Sequence, residues 1–471
     1  MPVWRPYWVD LPMARRGTPW NAEDHGRPAG RQVNSRPMSS ATASAAVAAS
    51  AYAPGFVMNG PTPTPLSEAK SPLRRAARFL GLGRSMVGLL GMVILVGMGE
   101  RMAERFLPIY LVALGGGAIA VGLLNGLTNL LNALYSFPGG YLAEKLGIKR
   151  SLLVFNLIAM AGYLIVILFP AWQAVIVGSV FFLSWSAVSL PATMGLVARA
   201  LPKDKRTMGV SMHSLVRRIP MAIGPMLGGL MIMRWGERDG VRFAFMAALA
   251  LAVVAMVLQQ GLIEEHGPHP HRAEENPLRL WGQLSKDLKS LLVSDILIRF
   301  CEQIPYAFVV LWAMKVIAQP VTAFQFGVLT AIEMATAALI YVPVAYFADR
   351  GEKKPFVVLT FVFFTLFPLV LFFTRSFAWL VLAFVLRGMK EFGEPTRKAL
   401  IMDLAPAEHK AGAFGLYYLV RDVVVSVAAF GGAFLWQVSP AANFFGAFAC
   451  GVVGTMWFLM RGKSVSAGVA R

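Results

Sequence analysis

Pro191–Arg217 reads PATMGLVARALPKDKRTMGVSMHSLVR, and Pro395–Arg421 reads PTRKALIMDLAPAEHKAGAFGLYYLVR. Pro191 answers Pro395, Pro202 answers Pro406, and each stretch closes on Leu-Val-Arg, at Arg217 and Arg421. The chain therefore repeats itself at an offset of 204 to 205 residues. An earlier pair agrees, because GGYLAEKLGIKR, ending at Arg150, answers VAYFADRGEKK, ending at Lys354, with one residue deleted. Chance could supply one such pairing but hardly several in the same order. The chain is two halves of one design.

What surrounds these stretches says where the halves reside. Of 471 residues, 56% are hydrophobic and 15% charged, against roughly 25% charged in soluble domains. Twelve apolar runs long enough to cross a bilayer follow one another, at about 86–114, 119–143, 151–170, 173–198, 208–233, 241–260, 292–314, 325–348, 355–373, 377–402, 412–436 and 443–460. They are continuously apolar and lack the period-2 alternation of barrel strands, so the spanning elements are helices. The reading is an all-α membrane protein of twelve transmembrane helices, numbered spans one to twelve below, in two six-helix parallel repeats about an axis along the membrane normal. Residues 85–261 form the first half and 292–461 the second, with a central loop at 262–291 and a tail at 462–471.

The formal charge of +19 would suggest nucleic acid in a soluble protein, but its placement points to topology. Lys145, Lys149 and Arg150 follow span two; Lys203, Lys205 and Arg206 follow span four; Arg350, Lys353 and Lys354 follow span eight; Lys410 follows span ten. Alternating helices put all of these on one side, and the positive-inside rule makes it cytoplasmic, with both termini. No nucleic-acid partner is expected, and the expected location is a bacterial inner (plasma) membrane. Residues 1–84 are rich in Ala, Ser, Pro and Arg and read as a disordered cytoplasmic extension. The segment loosely fits an organellar transit peptide; a start codon assigned too early, with Met38 or Met58 as the true start, is the preferred reading. Cys301 and Cys450 lie far apart in apolar runs and suggest neither a disulfide framework nor a metal spacing.

GYLAEKLGIKR, Gly140–Arg150, resembles the loop signature G-x-L-A-D-R-x-G-R-K of the major facilitator superfamily, and AYFADRGEKK, Ala345–Lys354, is similar to its weaker second copy. The resemblance covers nearly everything after Ser85. It implies alternating access, the halves rocking around a central site, with Gly140, Glu144, Lys145, Gly147, Arg150, Asp349 and Arg350 in the gating loops. It also implies that Glu144 joins a cytoplasmic charge latch near the start of span eleven. In span five, Gly224, Pro225, Gly228 and Gly229 are similar to the G-P-x-x-G-G core found in exporters of the superfamily, although small residues at this spacing also permit close helix packing. Span four lacks the Arg usual in its drug/proton antiporters; charge stands in span ten instead, at Arg387, Lys390, Glu391 and Glu394.

Span one, VILVGMGERMAERFLPIYLVAL over Val93–Leu114, carries Glu100, Arg101, Glu104 and Arg105. The acids are spaced i,i+4, as are the bases, so the charged sector should face protein or water rather than lipid. Counterparts stand at His213, Arg217 and Arg218, at Arg299, Glu302 and Glu333, and at Arg421 and Asp422. Near-balance of sign argues for buried pairs. Glu100 or Glu104, then Glu391 and Asp422, are the first candidates to carry a proton, and interhelical locks are the competing role for any one of them. Asn125, Asn129 and Asn132 make a polar stripe on span two, and Trp185 and Ser186 could line the same cavity. HGPHPHR, His266–Arg272, reads as a solvated loop rather than a metal site.

No nucleotide-binding loop, H-E-x-x-H pair or nucleophile elbow occurs, so an enzyme is not expected and neither is a cofactor or metal. The expectation is a monomeric secondary transporter exchanging protons for a small organic, drug-like molecule that it exports. Proton-linked uptake of a small organic anion, or a receptor or lipid-handling role without transport, is the alternative.

Overall fold

A computed structural model describes residues 84–183, Trp185, Thr193, 206–264, 277–348, 352–406 and 410–463, with Arg84, 136–145, 206–215, 277–279, 341–348 and 410–412 described by backbone alone. The N-terminal extension before Arg84, the HGPHPHR stretch, Ser186, Asp349 and Arg350 lie outside the described residues, as do the side chains of Gly140, Glu144, Lys145 and His213.

Every long element among the described residues is a helix. Span one is Arg84–Glu104 continued by Leu107–Ala113; spans two and three are Gly117–Leu146 and Ile148–Leu168; span four is described chiefly over Trp172–Phe182. Spans five and six form one run, Arg206–Leu262, interrupted at Gly236. After a short helix at Pro277–Gln283, span seven comprises Lys286–Tyr306, Phe308–Leu311 and a π-turn at Trp312–Val316. Spans eight and nine are Ala323–Ala348 and Lys353–Phe372; span ten is Phe377–Met389 with Glu394–Leu404; spans eleven and twelve are Lys410–Val438 and Pro440–Arg461. Among the described residues, eight helices are long and apolar enough to cross a membrane, nine if the bent pair in span seven counts as one. One of the eight, Val216–Leu262, holds parts of two spans, span four is described in part, and span ten is cut by a charged turn. These elements follow the twelve predicted runs.

Span seven starts earlier than expected, inside the predicted central loop. Ser285 caps it, its hydroxyl accepting from the Leu288 amide at 3.1 Å. Leu284, Leu288, Leu291 and Leu292 are buried together against Leu400, Ile401 and Phe458. That helical spacing of apolar residues outweighs the charges at Lys286, Asp287 and Lys289, which had read as loop.

Three joints need glycine, the first being that of spans one and two at Gly115 (φ +85°) and Gly117 (φ +61°). Gly147 (φ +83°) links spans two and three, and Gly236 (φ +81°) links spans five and six, at backbone angles that a side chain rarely adopts. The joints also identify the two ends of the bundle. At the end holding the described termini, Lys149 donates to the Gln260 carbonyl at 2.8 Å and Lys354 to the Leu459 carbonyl at 3.0 Å. At the far, distal end, Arg242 donates to the Ile167 carbonyl at 2.9 Å.

The described contacts between halves gather toward the distal end. Span two lies against span eleven so closely that a Cβ on Gly122 would collide with Ala433, and one on Gly126 would sit 2.9 Å from the Phe430 Cβ. Span five meets span eight in the same way at Gly229 and Ala323. Lys315 and Glu237 close this end with an ion pair of 2.5 Å. Large apolar side chains are exposed along the spans, Leu339 at 75% and Val427 at 70% among them, as lipid-facing surface requires.

A Cβ on Gly228 would run into the backbone of Met102 in span one, whereas one on Gly431 would meet nothing within 4 Å. Gly228→Ala should therefore lower the unfolding temperature of the purified protein by the equivalent of about 1–3 kcal/mol of overpacking. Gly431→Ala should leave it unchanged or slightly raised. Equal melting of the two variants would show that this approach does not set the stability of the first half.

Candidate functional site

The spans that open each half are both interrupted where their polar residues lie. In span one the helix stops at Glu104 and resumes at Leu107 with Pro108 in its first turn; the Phe106 amide turns back to the Ala103 carbonyl at 3.0 Å. Proline has no N–H and its ring crowds the preceding turn, so the helix gives way just N-terminal to it. Span seven carries Pro305, and its axis bends by 41° across Tyr306–Phe308. The predicted stripes on span one are thereby revised: Arg105 sits in the break and turns to a different partner from Arg101.

Between the breaks lies a cavity of about 50 Å³, bordered by Glu104, Arg105, Asn125, Thr128, Tyr306 and Arg387. That volume holds a few waters and is far below the roughly 300 Å³ of a small ligand site. With the distal end closed, a cavity of this size admits a small-molecule substrate only if the halves part.

Tyr306 is the meeting point. Arg105 of the first half donates to its hydroxyl at 3.0 Å and lies 5.3 Å from the ring centroid. Arg387 of the second half lies 5.4 Å from the same centroid. Two guanidinium groups from opposite halves thus flank one phenol ring, an arrangement a ring face favours. Among the described residues Arg105 has no carboxylate within 4 Å, whereas Arg387 holds Glu333 at 3.1 Å. Lys390 reaches Glu333 at 3.5 Å and Glu302 at 2.7 Å, and Glu302 also pairs with Arg299. Glu333 is 1% exposed and its Oε2 has no hydrogen-bond partner. This central network contains four bases, Arg105, Arg299, Arg387 and Lys390, against two acids, Glu302 and Glu333.

An amide ladder runs beside it. Asn125 donates to the Gln303 carbonyl at 2.9 Å and Asn129 to the Gln303 Oε1 at 3.2 Å, tying span two to span seven. Asn132 is exposed and takes no part, and span four borders the cavity through Leu183 rather than Trp185.

The other predicted charges fall elsewhere. Arg101 pairs with Glu104 at 2.5 Å. Glu100 is buried, and Arg217 is half-buried on span five among the charges of Arg101, Glu100 and Arg218. Glu391 faces Arg218 across the two halves at 3.9 Å. Arg421 and Asp422 are in a second network with no part in the cavity. Its centre is Asp295, which is fully buried, pairs with Arg397, faces Arg421 at 3.4 Å and accepts from the Tyr417 hydroxyl at 3.1 Å. Arg397 also donates to both Glu394 oxygens, at 2.8 and 2.6 Å, and Arg421 pairs with Asp422 at 2.7 Å. The sequence reading passed over Asp295, Arg397 and Tyr306. Asp295 was open to the same argument as the others, being an acid in an apolar run, while Arg397 reads as one more positive charge at a helix end.

The glycines of the G-P-x-x-G-G stretch have packing partners: Gly224 and Gly228 lie on Arg101 and Met102 of span one, and Gly229 lies on Ala323 of span eight. Of the gating-loop residues that are described, Gly147 makes the joint and Arg150 is exposed. No group of three metal-ligating side chains is found among the described residues.

Two six-helix halves with broken opening helices around a charged cavity define an architecture that sequence comparison also finds. A family model described as Major Facilitator Superfamily matches residues 89–318, the first half with span seven, and again 292–469, the second half. The chain belongs to the major facilitator superfamily. An uncharacterized MFS-type transporter of Methanocaldococcus jannaschii is 19% identical over 354 residues, 74% of this chain and 87% of that protein. Among solved structures, a peptide transporter POT in complex with sulfate has a TM-score of 0.66 at 14% identity, covering 80% of this chain and 94% of that one. A mutant of the nucleoside transporter NupG has a TM-score of 0.68 at 14% identity, covering 80% and 100%. The protein is thus a secondary transporter of this superfamily, an integral multi-pass membrane protein and not an enzyme.

Within this superfamily member, the Asp295 network makes a stability prediction. Asp295→Asn would leave buried Arg397 and Arg421 short of charge, a loss of about 3–5 kcal/mol for a broken buried pair. The expected result is failure to give a monodisperse protein in size-exclusion chromatography. Asp422→Asn, on a partly exposed acid, should purify normally.

Proposed function

We propose that the protein is a proton-coupled transporter of small organic anions, and that Arg105 and Arg387 hold the anionic group of the substrate. One observation carries this reading: guanidinium groups from opposite halves converge on Tyr306 within a network of four bases and two acids. A cavity with excess positive charge is suited to an anion and opposes a cationic drug. Its small volume fits a state from which one half rocks away to admit substrate.

Coupling follows from a shared partner. Arg387 touches both the cavity and Glu333. An anion seated on Arg387 takes part of its charge away from Glu333, and a proton on the bare Glu333 Oε2 restores balance. Substrate and proton then favour each other's binding, and by linkage the effect is mutual. An inward proton gradient would drive uptake. The positive residues at the terminal end support cytoplasmic termini. Export of a drug-like molecule by antiport is the second reading; the G-P-x-x-G-G core supports it, although its glycines are accounted for by packing.

In proteoliposomes screened with a panel of small carboxylates and phosphates, an imposed inward proton gradient should drive accumulation of at least one compound. Arg105→Gln and Arg387→Gln should each cut that flux about 100-fold or more, the range for losing a buried charge pair. Glu333→Gln should retain exchange of labelled for unlabelled substrate while losing the response to the gradient. Gradient-driven extrusion of cationic drugs, with no anion transported, would overturn the proposal.

A further inference from the structure

At the terminal end, the seam between spans seven and twelve opens into a recess of about 500 Å³, ten times the central cavity. It is remote from that cavity, since Lys289 precedes Tyr306 by 17 positions on the same helix, about 25 Å along its axis. Lys286, Lys289 and Arg461 line it. Two of these cations rest on indole rings: Lys289 Nζ is 5.2 Å from the Trp281 ring centroid, and the Arg461 guanidinium is 4.9 Å from that of Trp457. Trp457 is fixed in turn, its Nε1 donating to the Ser290 carbonyl at 3.2 Å. The one acid of the lining, Asp287, is taken by Lys463 at 2.9 Å. Among the described residues, no carboxylate lies within 4 Å of Lys289 or Arg461.

Stacking on an indole positions a cation without neutralising it, so the recess keeps its positive charge. About one to two helical turns further toward the membrane interior, both helices carry exposed apolar side chains. Val293 of span seven is 41% exposed, and Val453 and Met456 of span twelve are 54% and 49% exposed. Cations and tryptophans at one level, with open aliphatic surface beneath them, reproduce the order of a phospholipid from headgroup to chain.

We infer that this recess binds an anionic phospholipid, its phosphodiester between Lys289 and Arg461 and its acyl chains along Val293, Val453 and Met456. A soluble phosphate would satisfy the cations and leave the apolar seam unmatched. The lipid would join the start of span seven to the end of span twelve, far from the transported substrate.

The test is native mass spectrometry of the full chain from detergent, titrated in separate arms with phosphatidylglycerol, phosphatidylcholine and glycerol phosphate. Phosphatidylglycerol should bind at least tenfold more tightly than either of the others. Lys289→Gln with Arg461→Gln should weaken it by about fivefold per cation, roughly 30-fold together, while Lys289→Arg with Arg461→Lys should keep most of the affinity. Equal retention of the two lipids by the wild type, undiminished phosphatidylglycerol binding in the Gln pair, or glycerol phosphate binding as well as the lipid, would each overturn the assignment. The wild-type arms decide it even if the Gln pair does not fold.

Discussion

Asp295 is fully buried, yet it is met by Arg397, Arg421 and Tyr417 from spans ten and eleven. A carboxylate at that depth has no water to satisfy it, so the helices that bear its partners are held where they are. The same constraint governs the rest of the second half. Glu302 and Glu333 are each paired with bases from other turns or other spans, which fixes the register of spans seven, eight and ten. Charge that cannot face lipid thus acts as a set of distance restraints within the bundle.

The two networks differ in what they leave over. Around Asp295 and Glu394 acids and bases are closely matched, and the cluster belongs wholly to one half. Around Tyr306 bases outnumber acids, Glu333 keeps a bare oxygen, and Arg105 arrives from the other half. A matched cluster within one rigid body has little to gain from a ligand. An unmatched one that straddles two bodies has both a reason to bind and a means of reporting it. The broken helices serve this difference, because the interruptions at Arg105–Phe106 and beside Pro305 bring the unmatched groups to the cavity.

Glycines supply the complementary device, close approach without charge. Gly228 seats span five on span one inside a half, whereas Gly122 and Gly229 seat one half on the other at the distal end. The first contact must survive a transport cycle, and the second must break whenever that end opens. A stretch read as an export signature therefore combines a contact within one half with a contact between the halves, and close helix packing by small residues is sufficient to account for its pattern.

The repeat, the number of apolar runs and the loop signature determined the fold and the family from sequence, because bilayer thickness leaves one kind of spanning element and one narrow range of lengths. The presence of buried charge was equally legible, since ionisable residues in apolar runs stand out; Asp295 and Arg397, the buried pair of the second network, were passed over. Partners were not legible. Glu104 and Arg105 are neighbours in sequence, but a turn at Phe106 sends one to Arg101 and the other to Tyr306, 201 residues away. Arg217 and Arg421 match in the repeat, yet they lie in unlike surroundings because the acids around them, Glu100 and Asp295, do not repeat. Periodicity records which face of a helix is polar. Which charge meets which depends on breaks, bends and the approach of the other half, and those are settled only when the helices pack.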